Sequence, residues 1–138
     1  MLRFDTSLPP RLTELAILIC ARHWTSHHEW RAHKRLALAA GLEHEAVAAI
    51  AANRQPDFPD PEGRIVYQLS HELLASGRLE PALYEQGIAL LGETALVELV
   101  TTLGYYCLVS LTLNAFELGL PENFAPELCD VLTEAHID

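Results

Sequence analysis

The chain lacks any close pair of cysteines. Its three cysteines, Cys20, Cys107 and Cys129, are far apart, and no Cys-x-x-Cys occurs in the 138 residues. This spacing implies neither a zinc ribbon nor a disulfide framework, so it favours a protein of the reducing cytoplasm. Glycine-rich phosphate loops and the His-Glu-x-x-His zinc motif are also absent. We therefore expect neither a cofactor nor a functional metal.

Basic residues are few. Nine Lys and Arg stand against nineteen Asp and Glu, the formal net charge is −10, and no basic residue follows Arg78. A negative charge of this size repels nucleic acid and anionic membrane surfaces. We therefore expect a small-molecule substrate, with no nucleic acid and no membrane as a partner.

Strand-like alternation of apolar and polar residues is scarce, whereas apolar spacings of three and four recur along the chain. This periodicity predicts one all-α domain over residues 1–138, a bundle of about six helices. Proline and glycine positions place the helices near residues 10–24, 26–41, 43–52, 61–77, 79–91 and 93–118. A tail over residues 121–138 follows.

The last predicted helix contains an uncharged run over residues 99–116. Its length is that at which a membrane span has to be considered. Threonine, serine, asparagine and glycine dilute the run, and Glu98 and Glu117 flank it without basic anchors. These features favour a helix buried in the domain and in a subunit contact, so we expect a homo-oligomer.

What the chain does have is a set of ionisable residues across its first two helices. Glu29 and His33 are four apart and share one face of the second helix, and His28 projects from its first turn. Antiparallel pairing of the two helices would bring Glu14 alongside His33. Two carboxylates and two imidazoles in one pocket suit general acid and base catalysis. Glu14, His28, Glu29 and His33 are the candidate catalytic residues.

These residues also have structural interpretations. Ser26 and Glu29 have the spacing of a capping box, in which both side chains satisfy backbone donors at a helix start. His33 alone is more often a packed or solvated histidine than a catalyst. Cys107, within the uncharged run, is expected to be an inert core thiol.

Several segments carry a family resemblance. Residues 12–18 (LTELAIL), 29–33 (EWRAH), 39–42 (AAGL) and 98–117 (ELVTTLGYYCLVSLTLNAFE) resemble the carboxymuconolactone decarboxylase and alkylhydroperoxidase D-like family. The resemblance covers about residues 8–120. It implies an alkylhydroperoxidase D-like fold, with all-α subunits joined as trimers or hexamers and sites near subunit contacts.

The resemblance also bears on activity. In the peroxidase branch of the family, a Glu and two His relay protons to a cysteine pair, and Glu14, His28 and His33 match the relay. Ser26 and Glu29 stand where the cysteines belong, so thiol–disulfide turnover is impossible at that site. The resemblance favours the decarboxylase branch, a lyase acting without cofactor on a small organic acid or lactone by decarboxylation or isomerisation.

Two other functions remain open for this sequence. One is a peroxiredoxin-type antioxidant activity through other thiols, which would require an exposed Cys20 of low pKa. The other is a non-catalytic, oligomeric ligand-binding protein.

Candidate substrate-binding residues surround the catalytic set. They are Ser26, Trp30 and Arg31, and the guanidinium of Arg31 would hold a substrate carboxylate. Arg22 and Arg35 are alternatives to Arg31 in that role.

Overall fold

The computed structural model describes residues 7–118 and 125–128. Within these ranges the chain forms six helices and no strand, so the predicted all-α architecture is confirmed. The helices are α1 Pro10–Trp24, α2 His27–Ala39, α3 His44–Ala51, α4 Pro61–Ser76, α5 Pro81–Leu91 and α6 Glu93–Ala115. Each lies within a few residues of its predicted bounds. Most of the predicted tail, including Cys129, lies outside the described residues.

Proline and glycine set several helix ends. The helices α1, α4 and α5 each begin at a proline, whose fixed φ and missing N–H suit the first helical position. Gly77 ends α4 with φ 76°, a left-handed conformation that glycine adopts without strain. The prolines at the starts of α1 and α4 and Gly77 are signals from which the helix bounds were predicted, whereas α5 was expected to begin at residue 79 and begins at Pro81.

The first helix, α1, is the centre of the bundle. It packs against α2, α3, α4 and α6, and residues 15–22 are all buried. After α1, Thr25 adopts a left-handed conformation (φ 50°), and the Ser26 amide donates to the carbonyl oxygen of Ala21 at 2.8 Å. This tight turn sends α2 back alongside α1.

The last helix, α6, runs parallel to α1. At one end the Leu8 amide donates to Glu98 Oε2 (2.7 Å), and at the other the Asn114 side chain donates to the Trp24 carbonyl oxygen (2.8 Å). The central helix therefore has α2 and α6 packed along its length, and residues from all three helices meet around its second half.

Only one face of α6 is buried. Ala95, Leu96, Leu99, Leu103 and Ser110 face the bundle. On the opposite side Val97, Val100, Leu108 and Leu111 are exposed, and Leu108 is 63% exposed; this surface is termed the apolar α6 face. The other helices thus pack against one side of α6 only. The subunit contact that was expected to cover the rest of the helix stays a prediction.

By length and composition, α6 could also cross a membrane, and only 22% of its most apolar stretch is buried against the other helices. A single helix of this kind is nevertheless weak support for a span.

Arg11 connects the starts of three helices. From the first turn of α1 it donates to Glu43, which precedes α3 (2.8 Å), and to Asp60, which precedes α4 (3.0 Å). Asp60 also caps α4 by accepting from the Gly63 amide at 2.8 Å. Burial acts to raise the pKa of Asp60, but the hydrogen bonds from Arg11 and Gly63 and the Arg11 charge outweigh it. The pKa of Asp60 therefore lies below its ordinary value.

We expect Asp60→Ala to lower the free energy of unfolding at neutral pH by about 0.5–2 kcal/mol, the usual cost of losing an N-cap. Because the folded-state pKa of Asp60 is depressed, the carboxylate stabilises the fold above its unfolded pKa of about 3.9 and ceases to do so as the pH falls through the folded value. Urea unfolding of parent and variant at a series of pH values measures this. Asp57→Ala, at an exposed carboxylate nearby, is the control. A difference that stays constant down to acid pH would contradict the charge contribution.

Candidate functional site

His33 lies between two carboxylates. Its Nδ1 is 2.8 Å from Glu14 Oε2, and its Nε2 is 3.2 Å from Glu29 Oε2. The exposed fraction of the side chain is 13% for His33, 16% for Glu14 and 12% for Glu29. Glu14 is hydrogen-bonded to the ring, Glu29 lies at ion-pair distance from the other nitrogen, and all three groups keep a solvent-accessible edge. This arrangement is termed the Glu–His–Glu cluster.

The pairing of α1 and α2 assembles the cluster. Glu29 and His33 are four apart on α2, a spacing that places them one turn apart on the same face. Glu14 lies on α1, and the antiparallel return of α2 brings it beside the same imidazole. The predicted contact between Glu14 and His33 is thus present in the structure.

An imidazole ring can take up a proton at one nitrogen and release one from the other. His33 has a carboxylate beside each ring nitrogen, so the ring can bridge Glu14 and Glu29 in a proton transfer.

Tyr106 on α6 is the aromatic neighbour of the cluster. Its ring meets that of His33 edge to face, with centroids 5.0 Å apart. Burial, and then the charges of Glu29 and Glu14, raise the pKa of Tyr106. The phenol is therefore protonated at neutral pH and can act as a hydrogen-bond donor. Sequence reasoning missed this residue, since no spacing within α6 relates it to α2.

The predicted capping box does not form. Ser26 is the residue before α2, but its side chain makes no capping hydrogen bond, and its buried hydroxyl has no hydrogen-bond partner in the described part of the chain. The Glu29 carboxylate is directed to His33 instead. The structure thus contradicts the cap and leaves Ser26 on the same face of α2 as Glu29 and His33.

His28 lies apart from the other three candidate catalytic residues. It is exposed and lines a cleft of about 360 Å³ with Arg31, Ala32 and Arg35, on the side of α2 away from His33. The structure therefore brings together Glu14, Glu29 and His33 but not His28. Arg31 and Arg35 line the same cleft as His28 and so lie apart from the cluster.

The remaining candidates have structural surroundings. Trp30 is buried with 1% of its surface exposed, and it borders a cleft with Lys34 and His44 rather than the cluster. Arg22 is buried and donates to the Ala51 carbonyl oxygen (3.1 Å) and to Thr25 Oγ1 (2.9 Å). Arg22 therefore holds the end of α1.

Over residues 7–118 and 125–128, no group of three His, Cys, Asp or Glu side chains is arranged to hold a metal ion. Comparison of the chain with protein-family models, with curated proteins and with solved structures gave no match.

Proposed function

We propose that this chain is a cofactor-independent enzyme of the carboxymuconolactone decarboxylase-like class, which isomerises or decarboxylates a small organic acid or lactone. The observation that carries the proposal is the contact of His33 with both Glu14 and Glu29, at 2.8 and 3.2 Å. A proton relay accounts for a carboxylate beside each ring nitrogen.

The chemistry that suits this relay moves a proton between two positions of one substrate. One carboxylate removes a proton from carbon, and the imidazole passes a proton on to the other carboxylate. The second carboxyl group then protonates the substrate at another position. Such a transfer shifts a double bond, and it also replaces a departing carboxylate by a proton in a decarboxylation.

Two further polar groups support the proposal. Ser26 contributes a buried hydroxyl without a partner among the described residues, on the cluster's face of α2. Tyr106 contributes a protonated phenol against the ring of His33. We assign substrate orientation to both of these groups. The substrate class itself comes from the family resemblance.

We further propose that the apolar α6 face binds a second copy of the chain in a homo-oligomer. The exposed residues of this face lie on one stripe of the helix, since successive members are three, eight and three positions apart in the sequence. They are Val97, Val100, Leu108 and Leu111. Gly104 lies in the same stripe, and nothing occupies the space within 4 Å of its missing side chain, so a partner helix could approach closely. The flanks of the helix carry no Lys or Arg, which favours a protein partner over a lipid surface.

Hydrogen exchange in D₂O tests the proposed activity. The wild-type protein is incubated with a panel of small unsaturated acids and carboxylated lactones, and NMR follows loss of carbon-bound protons and release of CO₂. For a panel member that reacts, Glu14→Gln and Glu29→Gln are each expected to lower the rate by about 10²-fold or more, because an amide cannot accept the proton. The double variant should lose little more, since the relay acts as a unit.

Glu85→Gln, at an exposed carboxylate on α5, is the matched control and should leave the rate unchanged. Equal rates in parent, Glu14→Gln and Glu29→Gln would contradict the relay. Binding of a panel member without exchange or CO₂ release would favour the non-catalytic ligand-binding protein instead.

A further inference from the structure

A second pair of reactive groups lies between α1 and α6. Cys20 Sγ and Cys107 Sγ are 3.7 Å apart, although 87 residues separate them in sequence. A disulfide bond is about 2.05 Å long, so the two sulfurs have to approach by less than 2 Å, roughly the reach of a side-chain torsion. The parallel packing of the two helices, anchored at both ends, holds the thiols in this position.

The two thiols have different surroundings. Cys20 is 0% exposed, and its S–H points to the Leu103 carbonyl oxygen at 3.9 Å. Burial, then the neighbouring Cys107 and the Glu29 charge, raise the pKa of the Cys20 thiol far above its ordinary value. Cys20 by itself is therefore a poor nucleophile, which agrees with the expectation drawn from its position in the middle of a helix.

Cys107 is the accessible member of the pair. It is partly exposed, and the Trp24 indole Nε1–H donates to its Sγ at 3.2 Å. A hydrogen bond donated to sulfur stabilises the thiolate, the form that attacks. The expectation that Cys107 is an inert core thiol does not account for this donor or for the sulfur atom beside it.

We propose that Cys20 and Cys107 form a thiol–disulfide exchange site, which takes a low-molecular-mass disulfide as its oxidant and closes a disulfide between α1 and α6. The Cys107 thiolate attacks one sulfur of the small disulfide, whose S–S bond breaks and releases one thiolate. The Cys20 thiol then attacks the Cys107 sulfur, the mixed S–S bond breaks, and the Cys20 proton passes to the second small thiolate as it leaves. Two protein thiols and one small disulfide thus give one protein disulfide and two small thiols.

This inference does not depend on the acid and base chemistry proposed for the Glu–His–Glu cluster, because neither sulfur belongs to it. It also differs from thiol chemistry at Ser26 and Glu29, where no sulfur is present. The disulfide would lie directly against the Trp24 indole, which provides an optical signal, since disulfides quench indole fluorescence.

The test uses the full chain with Cys129→Ser, so that only the two thiols in question remain. The protein is equilibrated in glutathione buffers from reducing to oxidising, quenched with acid, unfolded and labelled with a maleimide. The expected result is conversion from two labelled thiols to none, a mass loss of two hydrogens, no dimer on a non-reducing gel and a reversible fall in Trp24 fluorescence. Two labelled thiols under the oxidising condition, or a disulfide between chains, would overturn the proposal.

Single-cysteine variants in the same background test the order of attack. With Cys20→Ser, Cys107 should form one stable mixed disulfide with glutathione. With Cys107→Ser, the buried Cys20 should react at least tenfold more slowly, and circular dichroism verifies that both variants are folded. If Cys20 reacts faster than Cys107, the assigned roles are wrong. If the two-cysteine protein stops at the mixed disulfide, the exchange site itself is excluded.

Discussion

His33→Gln is expected to lower the rate of the D₂O exchange reaction by about 10²–10⁴-fold, the range that general acid and base catalysis supplies. Glutamine keeps a donor and an acceptor near the two carboxylates, but it cannot take up or release a proton at neutral pH. The substitution therefore interrupts the bridge between Glu14 and Glu29 while retaining much of the side-chain volume. Exchange rates on a reacting acid or lactone measure the effect.

A stability measurement separates this catalytic effect from misfolding. His33→Gln weakens the hydrogen bond to Glu14 and removes the ion-pair contact with Glu29. A hydrogen bond to a charged group is worth about 1.5–3 kcal/mol, so some loss in the free energy of unfolding is expected. The rate is therefore compared under conditions where circular dichroism shows the variant fully folded. His71→Gln, at an exposed histidine on α4, is the matched control and should retain the parent rate. A folded His33→Gln protein with an exchange rate within threefold of the parent would exclude the relay.

The part of the site that sequence predicted is the part that local geometry determines. Glu29 and His33 share a helix face because they are four apart, and Glu14 joins them because the short turn after Trp24 returns α2 alongside α1. Helix bounds followed from proline and glycine for the same reason. These signals act within a few residues of one another.

The errors have a different origin. Spacing within one helix indicates that Ser26 and Glu29 can form a cap, but it does not reveal that His33 competes for the same carboxylate. His28 was grouped with His33, but the two residues are five positions apart in an α-helix. This spacing rotates them by more than a quarter turn about the helix axis and places them on different sides of α2.

Contacts made by α6 could not be predicted from its own sequence. The approach of Cys107 to Cys20 and of Tyr106 to His33 depends on how α6 lies against α1 and α2, and an apolar helix gives little indication of which face turns inward. The same ambiguity explains why the sequence could not show which part of α6 packs in the bundle and which part is left for the expected subunit contact. Only the assembled bundle distinguishes the two sides of this helix.

Leu18→Ala is expected to cost about 2–5 kcal/mol of unfolding free energy, the range measured for large-to-small substitutions in well-packed cores. Leu18 is 0% exposed in the middle of α1, the helix against which four others pack. Removing its side chain leaves a cavity that several rigid helices border, so relaxation of any one of them fills little of it. Urea unfolding measured in dilute protein reports the loss.

Leu108→Ala makes the same chemical change on the apolar α6 face. It is the matched control for stability, and it also tests whether this face joins two copies of the chain. In dilute, monomeric protein it should alter the unfolding free energy by less than about 0.5 kcal/mol, because Leu108 is 63% exposed in the single chain. If the apolar α6 face joins two copies, the same substitution should weaken association in analytical ultracentrifugation and remove part of the concentration dependence of Tm. If Leu108→Ala lowers the unfolding free energy of the monomer as much as Leu18→Ala does, the placement of α6 is wrong. If the parent protein cosediments with lipid vesicles, the apolar α6 face binds a membrane rather than a second copy.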